Sequence, residues 1–146
     1  DNWIHMEAKE ENLDLVFSLE NQDQMIIFIV DPNLSCDARL VYTNRGFEPK
    51  DFDVMSGETF DWKLSGQSYE GENASRLNAD GYVRWELMSF YKHHFSKLEE
   101  LLSKRGQISF SINDPLNRFE KQEIEMKANG LSSALNSALD TCQGWT

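Results

Sequence analysis

The segment Met25-Ile26-Ile27-Phe28-Ile29-Val30 limits what this chain can become more than any other. It is a run of six consecutive apolar residues, four of them β-branched, and it leaves no polar side. A bilayer crossing needs about 18 such residues, so the run does not span a membrane as a helix. β-branched side chains suit a pleated strand. A strand with no polar side has to be covered on both faces, so the run predicts a central strand of a sheet. Glu20 to Asp23 is the polar turn before it, and Asp31-Pro32-Asn33 ends it.

Other segments alternate. Leu13, Leu15, Phe17 and Leu19 fall on one side of a half-buried strand. Arg39 to Thr43 forms a third short strand, closed by the turn Asn44-Arg45-Gly46. Thr59 to Leu64 sets Phe60, Trp62 and Leu64 against Asp61 and Lys63. Residues 65–81 are polar, contain Gly66, Gly71 and Gly81, and predict a loop or ragged hairpin. Tyr82 to Leu87 alternates again. From Leu87 the spacing of Phe90, Tyr91, His94, Phe95, Leu98, Leu101 and Leu102 predicts a helix of about four to five turns, ending near Gly106. Ile108, Phe110 and Ile112 mark one strand, and Gln122, Ile124, Met126 and Ala128 another, with Asn113-Asp114-Pro115 between them. Leu131, Ala134, Leu135, Ala138, Leu139 and Cys142 form the apolar stripe of a terminal helix. The expectation is one α+β domain over residues 1–146. It is a mostly antiparallel sheet or sandwich with one long central helix and a short C-terminal helix.

Charge narrows the partners. Of 146 residues, 25 are acidic and 14 basic, a net of −11. Residues 1–80 carry 17 acidic and 6 basic side chains, so the whole excess lies there. Such a surface argues against nucleic acid and anionic lipid, whose phosphates require Lys and Arg. It reads either as a solvated surface or as a negative face that steers a basic protein partner. Hydrophobic residues at 40 % and aromatic residues at 12 % exclude a disordered acidic tail. Asp51, Asp53, Glu58 and Asp61 cluster in sequence but lack the spacing of a calcium loop, so no metal or cofactor is assigned and a calcium-dependent module stays as an alternative.

Cys36 and Cys142 stand 106 residues apart, too far for a C-x-x-C motif. The chain starts Asp1-Asn2-Trp3 without Met, as after removal of a signal peptide or trimming. An even cysteine count then predicts one disulfide and a periplasmic or secreted location, against the alternative of two buried thiols. Asn33-Leu34-Ser35 and Asn73-Ala74-Ser75 match the glycosylation sequon.

No G-x-S-x-G elbow, glycine-rich phosphate loop or H-E-x-x-H occurs. Adjacent His93 and His94 would point about 100° apart on a helix and could not chelate together. Trp3, Trp62, Trp85 and Trp145 are expected as core or interface anchors. The missing chemistry favours a non-enzymatic, protein-binding role, with an enzymatic module as the alternative. An apolar patch at Trp3, Trp145 or the Phe47 and Phe52 region would be where a homodimer forms.

Ser65-Gly66-Gln67-Ser68-Tyr69 reads S-G-x-x-Y. This stretch resembles the loop with which bacterial periplasmic lysozyme inhibitors enter the carboxylate-lined cleft of their target. Gly81-Tyr82-Val83-Arg84-Trp85 loosely extends the likeness. The resemblance implies protein-binding roles for Ser65, Gly66, Ser68 and Tyr69, with Asp61, Glu70 and Glu72 as acidic neighbours. Serine hydroxyls would meet the carboxylates, glycine would allow close approach, and tyrosine would brace the loop.

The last sixty or so residues carry a second likeness. They run helix, Gly106, strand, Pro115 turn, strand, Asn129-Gly130, then Leu131-x-x-Ala134-Leu135-x-x-x-Leu139-x-x-Cys142-x-x-Trp145. This resembles the ending of small exported bacterial proteins of the type VI secretion-associated VasI/TagO family and the invasion-associated locus B family. Met126 and Ala128 depart from it where a Phe is usual, and one extra residue separates Cys142 from Trp145. The resemblance implies a periplasmic β-rich fold, one disulfide and no catalytic residues. The expected setting is a secretion-system accessory or an immunity-type inhibitor of a toxin or wall hydrolase.

Overall fold

The computed structural model describes residues 2–20, 23–44, 59–72, 74–76, 83–113 and 121–144. Its strands are β1 (Trp3–Ala8), β2 (Leu13–Ser18), β3 (Gln24–Asp31), β4 (Asp37–Asn44), β5 (Thr59–Leu64), β6 (Gln67–Glu72), β7 (Ala74–Arg76), β8 (Val83–Phe90), β9 (Gln107–Asn113) and β10 (Gln122–Lys127). The α-helices are α1 (Phe95–Leu102) and α2 (Leu131–Gly144). The strands make two antiparallel sheets. One has six strands in the order β1-β2-β3-β4-β8-β7, the other four in the order β10-β9-β5-β6. The apolar run lies in β3, inside the six-stranded sheet, as its composition requires.

The six-stranded sheet turns one face inward. Pairing of Trp3 with Ser18, Val16 with Phe28, Val30 with Ala38 and Phe28 with Leu40 puts these residues on that face, and all are buried. The other components of the fold share its cover. Helix α2 lies over β1, β2 and β3. The four-stranded sheet meets β4, where the Tyr42 ring stands 4.8 Å from Phe110 and 5.1 Å from Trp85. One apolar core therefore joins Phe28, Leu40, Trp62, Phe110, Leu135 and Ala138.

Helix α2 buries Leu131, Ala134, Leu135, Ala138 and Cys142, a stripe at helical spacing. Its N-terminus is held by α1. Glu99 Oε1 accepts from the backbone N–H of Gly130 at 2.8 Å and of Ser132 at 3.4 Å. A carboxylate there satisfies orphan donors and complements the helix dipole. Its other end is fixed by the Cys36–Cys142 disulfide, with the Cα atoms 5.9 Å apart. Cys36 follows a 3₁₀ turn, Pro32–Leu34, in which the Asp31 carboxylate accepts from Asn33 N at 2.9 Å. The bridge thus ties the β3–β4 connection to the last turns of α2. No helix among the described residues is long and apolar enough to cross a membrane.

Three expectations are corrected. The long central helix does not form. Residues 87–90 belong to β8, a 3₁₀ turn covers Lys92–His94, and α1 has eight residues. A bulge opposite Leu40 and Val41 leaves Leu87 as an extra residue on β8. Trp85 pairs with Tyr42, Met88 with Leu40 and Phe90 with Ala38, so inward residues fall three and then two apart. That broken alternation imitates a helical period. Tyr91 and Leu101, assigned to the apolar stripe, are 62 % and 64 % exposed. The C-terminal helix, expected short, is the longer one at fourteen residues. Within the polar stretch 65–81, expected as a loop or ragged hairpin, β6 pairs with β5 as a hairpin and β7 follows.

The third correction concerns β2. Its buried side is Asp14, Val16 and Ser18, whereas Leu13, Leu15 and Phe17 are half-buried on the opposite side. Register decides this, because Val16 must face Phe28 across β3. The β2 leucines consequently lie on the outer face of the sheet.

Candidate functional site

Residues 65 and 66 close the β5–β6 hairpin, since Leu64 pairs with Gln67. Ser65 has φ 49° and Gly66 φ 89°. Two consecutive positive φ angles are the pattern of a tight two-residue hairpin turn. A Cβ on Gly66 would come within 2.7 Å of Lys104 Nζ. Gly66→Ala should therefore cost about 1 kcal/mol, checked by chemical denaturation. Unchanged stability would show that the turn relaxes.

The hairpin is braced from within. Ser65 Oγ donates to the Leu102 carbonyl at the end of α1, and Ser65 N donates to Ser109 O at 2.7 Å. Tyr69 stacks on Trp62 with ring centroids 4.5 Å apart. Ser65 is buried and Tyr69 half-buried, so both support the loop, while Gly66, Gln67 and Ser68 are exposed at its tip. Asp61 and Lys63 are exposed on the adjacent strand. Glu70 and Glu72 occupy the register positions opposite Asp61 and Thr59. All seven expected positions thus lie on the hairpin, with Ser65 turned inward.

The same face carries a groove of about 570 Å³. Its floor is Ser109 and Ser111 of β9, and its walls are Lys63, Lys121, Glu123 and Glu125. Register explains the shape. Ser111 lies between Lys63 and Glu123, and Ser109 pairs with Glu125, so short side chains alternate with long ones across the sheet. Ser109 Oγ donates to Glu125 Oε1 at 3.2 Å, and Lys121 pairs with Glu123 at 3.0 Å. Donors, acceptors and both signs of charge stand around one trough.

The two sheets are also joined by a polar cluster. Gln24 Nε2 donates to Tyr42 Oη at 3.1 Å, Asn44 Nδ2 donates to it at 3.3 Å, and both amides reach Gln122 of β10. Burial pushes the Tyr42 phenol up to about 12, partly offset by the bonds from Gln24 and Asn44. The folded state thus prefers the protonated phenol. Its stabilising contribution is complete below about pH 10, the unfolded value, and is lost as pH rises through about 12. Tyr42→Phe should flatten the fall of stability above pH 10, measured by denaturation at stepped pH. An unaltered slope would assign the fall elsewhere.

A constellation that sequence reading missed sits on the inner face at the other end. His5 Nε2 lies 2.6 Å from Asp14 Oδ1, and His5 Nδ1 lies 2.9 Å from Ser137 Oγ on α2. Asp14 is fully buried and His5 nearly so. The set contains the groups of a nucleophilic triad, but Ser137 lies inside α2, where neighbouring backbone N–H groups are engaged along the helix. We read it as a tie between β1, β2 and α2. The alternation of β1 and β2 places His5 and Asp14 on one face, but only their pairing register brings them together.

His93 and His94, of which His94 was expected to flank the core, are both exposed, with rings 4.2 Å apart. Trp3, Trp62 and Trp85 are buried in the core. Among the described residues no group of three or more His, Cys, Asp or Glu side chains is placed to hold a metal. Asp51, Asp53 and Glu58 lie outside the described residues, as do Phe47, Phe52 and Trp145. Comparison with family models, curated proteins and solved structures gives no match.

Proposed function

We propose that this protein is a non-enzymatic, extracytoplasmic module that binds another protein, as a secretion-system accessory or an immunity-type inhibitor of a toxin or wall hydrolase. The observation that carries the reading is the braced β5–β6 hairpin beside the polar groove. Its turn is tied to α1 and β9, and its exposed tip continues into a trough lined by Lys63, Lys121, Glu123 and Glu125. A rigid polar surface of this kind binds with little ordering cost. The disulfide supports a periplasmic or secreted setting. The partner is a basic protein, in keeping with the charge of residues 1–80.

The test uses the purified full chain and the products of the genes that neighbour its own. One of them should form a complex that weakens as salt rises. Ser68→Arg and Asp61→Arg should each weaken it at least tenfold by calorimetry. Absence of a complex with every neighbour, or indifference to both substitutions, would contradict the reading.

A narrower reading is inhibition of a muramidase through residues 65–69. It is favoured by the tight turn these residues adopt. In that reading Gly66, Gln67 and Ser68 enter the cleft, and Ser65 and Tyr69 brace them. Titration against a panel of muramidases should give inhibition that Ser68→Arg removes. A panel without inhibition would rule it out.

A further inference from the structure

The outer face of the six-stranded sheet presents an apolar surface. Register aligns Ile4 with Phe17 and Phe17 with Ile27 in one cross-strand row, and Met6 with Leu15 in the next, beside Leu13. These side chains point away from the core, and none of them belongs to the core cluster. The face is closed toward β4, where Val41 is 1 % exposed, and already at Ile29 of β3, which continues the Met6–Leu15 row and is 6 % exposed; it opens toward the edge strand β1, where Met6 is 46 % exposed. At about 4.8 Å per strand, β1 to β3 make a strip some 10–15 Å wide, enough to seat one helix or a pair of strands. Patches of this kind on a soluble protein mark an interaction site.

The rim identifies the occupant. Exposed Glu10 and Glu11 stand at the β1–β2 turn and exposed Asp23 at the β2–β3 end, where Glu20 turns to the other sheet and accepts from Lys127 N at 2.7 Å. Residues 1–30 contain seven acidic side chains and a single basic one, Lys9. Arg39, farther along the sheet, is held by Asp31 at 3.8 Å and Glu86 at 3.3 Å. A second copy related by a twofold axis would set acidic rim against acidic rim. A partner with an apolar stripe flanked by Lys and Arg complements both the strip and its borders. We propose that the outer face of β1, β2 and β3 is a docking surface for a basic amphipathic polypeptide. This inference rests on the protein-binding reading but uses a different face from the hairpin.

The probe is a labelled synthetic Leu/Lys amphipathic helix of about 18 residues, five turns. Its control is a Leu/Glu helix of the same pattern. Fluorescence anisotropy with the full chain should give salt-sensitive binding of the Leu/Lys helix and none of the Leu/Glu helix. Met6→Arg, and separately Glu10→Lys with Glu11→Lys, should each weaken binding at least tenfold. The rim pair touches no core residue, so it remains informative if Met6→Arg perturbs folding. Glu100→Lys with Asp140→Lys makes the same charge change elsewhere and should leave binding within twofold. Three results would overturn the proposal. One is absence of Leu/Lys binding. Another is equal weakening by the Glu100 and Asp140 pair, which would reduce the effect to net charge. The third is a dimer by sedimentation that Met6→Arg dissolves, which would make a second copy the occupant. If Ser68→Arg abolishes binding while Met6→Arg does not, the hairpin is the site and only this inference fails.

Discussion

Removing both sulfurs, by Cys36→Ser with Cys142→Ala, should lower the unfolding free energy by about 3–5 kcal/mol. The bridge joins positions 106 residues apart, and a loop that long restricts the unfolded chain by about 4–5 kcal/mol in the chain-entropy model. The native state also relies on it. Cys142 is on the buried stripe of α2, Cys36 is buried beside β4, and without the bridge α2 is held to the sheets by packing and by the His5–Ser137 contact. The check is equilibrium denaturation with and without reductant. Reductant should shift the midpoint of the wild-type chain down to that of the double variant and leave the variant where it is. A reductant-insensitive midpoint would show that the cross-link contributes nothing to stability.

Asp14→Ala should cost about 3 kcal/mol, with His5→Ala close behind. Asp14 is fully buried, and its Oδ1 faces His5 Nε2 at 2.6 Å. Removing one member of a buried carboxylate–imidazole pair leaves the other desolvated and short of that bond, at about 3–5 kcal/mol for ion pairs and less for neutral ones. Some solvent reaches His5, whose side chain is 12 % exposed, so the lower end applies. The coupling can be isolated. His5→Leu with Asp14→Leu replaces the pair by apolar groups and should recover most of the loss. A double-mutant cycle should give a coupling of about 1–2 kcal/mol. Additive losses would mean that the two groups act separately and that α2 is not tied through them.

Much of the fold was legible wherever one period held. Ile108, Phe110 and Ile112 alternate without interruption and form the buried side of β9. Leu131 to Cys142 keep a helical spacing and form α2. The apolar run of β3 announced a strand inside a sheet. The reading failed where a tertiary choice outweighed the local pattern. The bulge at Leu87 broke the alternation of β8 and produced a false helical period. In β2 the alternation was seen but assigned to the wrong side, because a lone buried Asp14 is not credible without the histidine that meets it. At the hairpin, the S-G-x-x-Y stretch was recognisable as a turn. The inward direction of Ser65 follows from the Leu102 carbonyl, which no local sequence pattern reveals.

The inversion of β2 and the composition of β3 bear on one another. Residues 25–30 have no polar side, yet only Ile26, Phe28 and Val30 enter the core. Met25 and Ile27 are half-buried on the face they share with Phe17. Ile29 on that same side is only 6 % exposed, so the cover of β3 is complete toward β4 and thins toward β1, where the proposed partner would add a layer.

The most direct test follows three methionine methyl groups by NMR in the presence of a soluble paramagnetic agent. Met6 and Met25 lie on the outer face and Met126 lies in the core, only 3 % exposed. In the free protein the Met6 and Met25 signals should broaden strongly and the Met126 signal should stay sharp. Addition of the Leu/Lys helix should restore Met6 and Met25. Methyl signals of Met6 and Met25 as sharp as that of Met126 in the free protein would show that the face is already covered and would contradict the account.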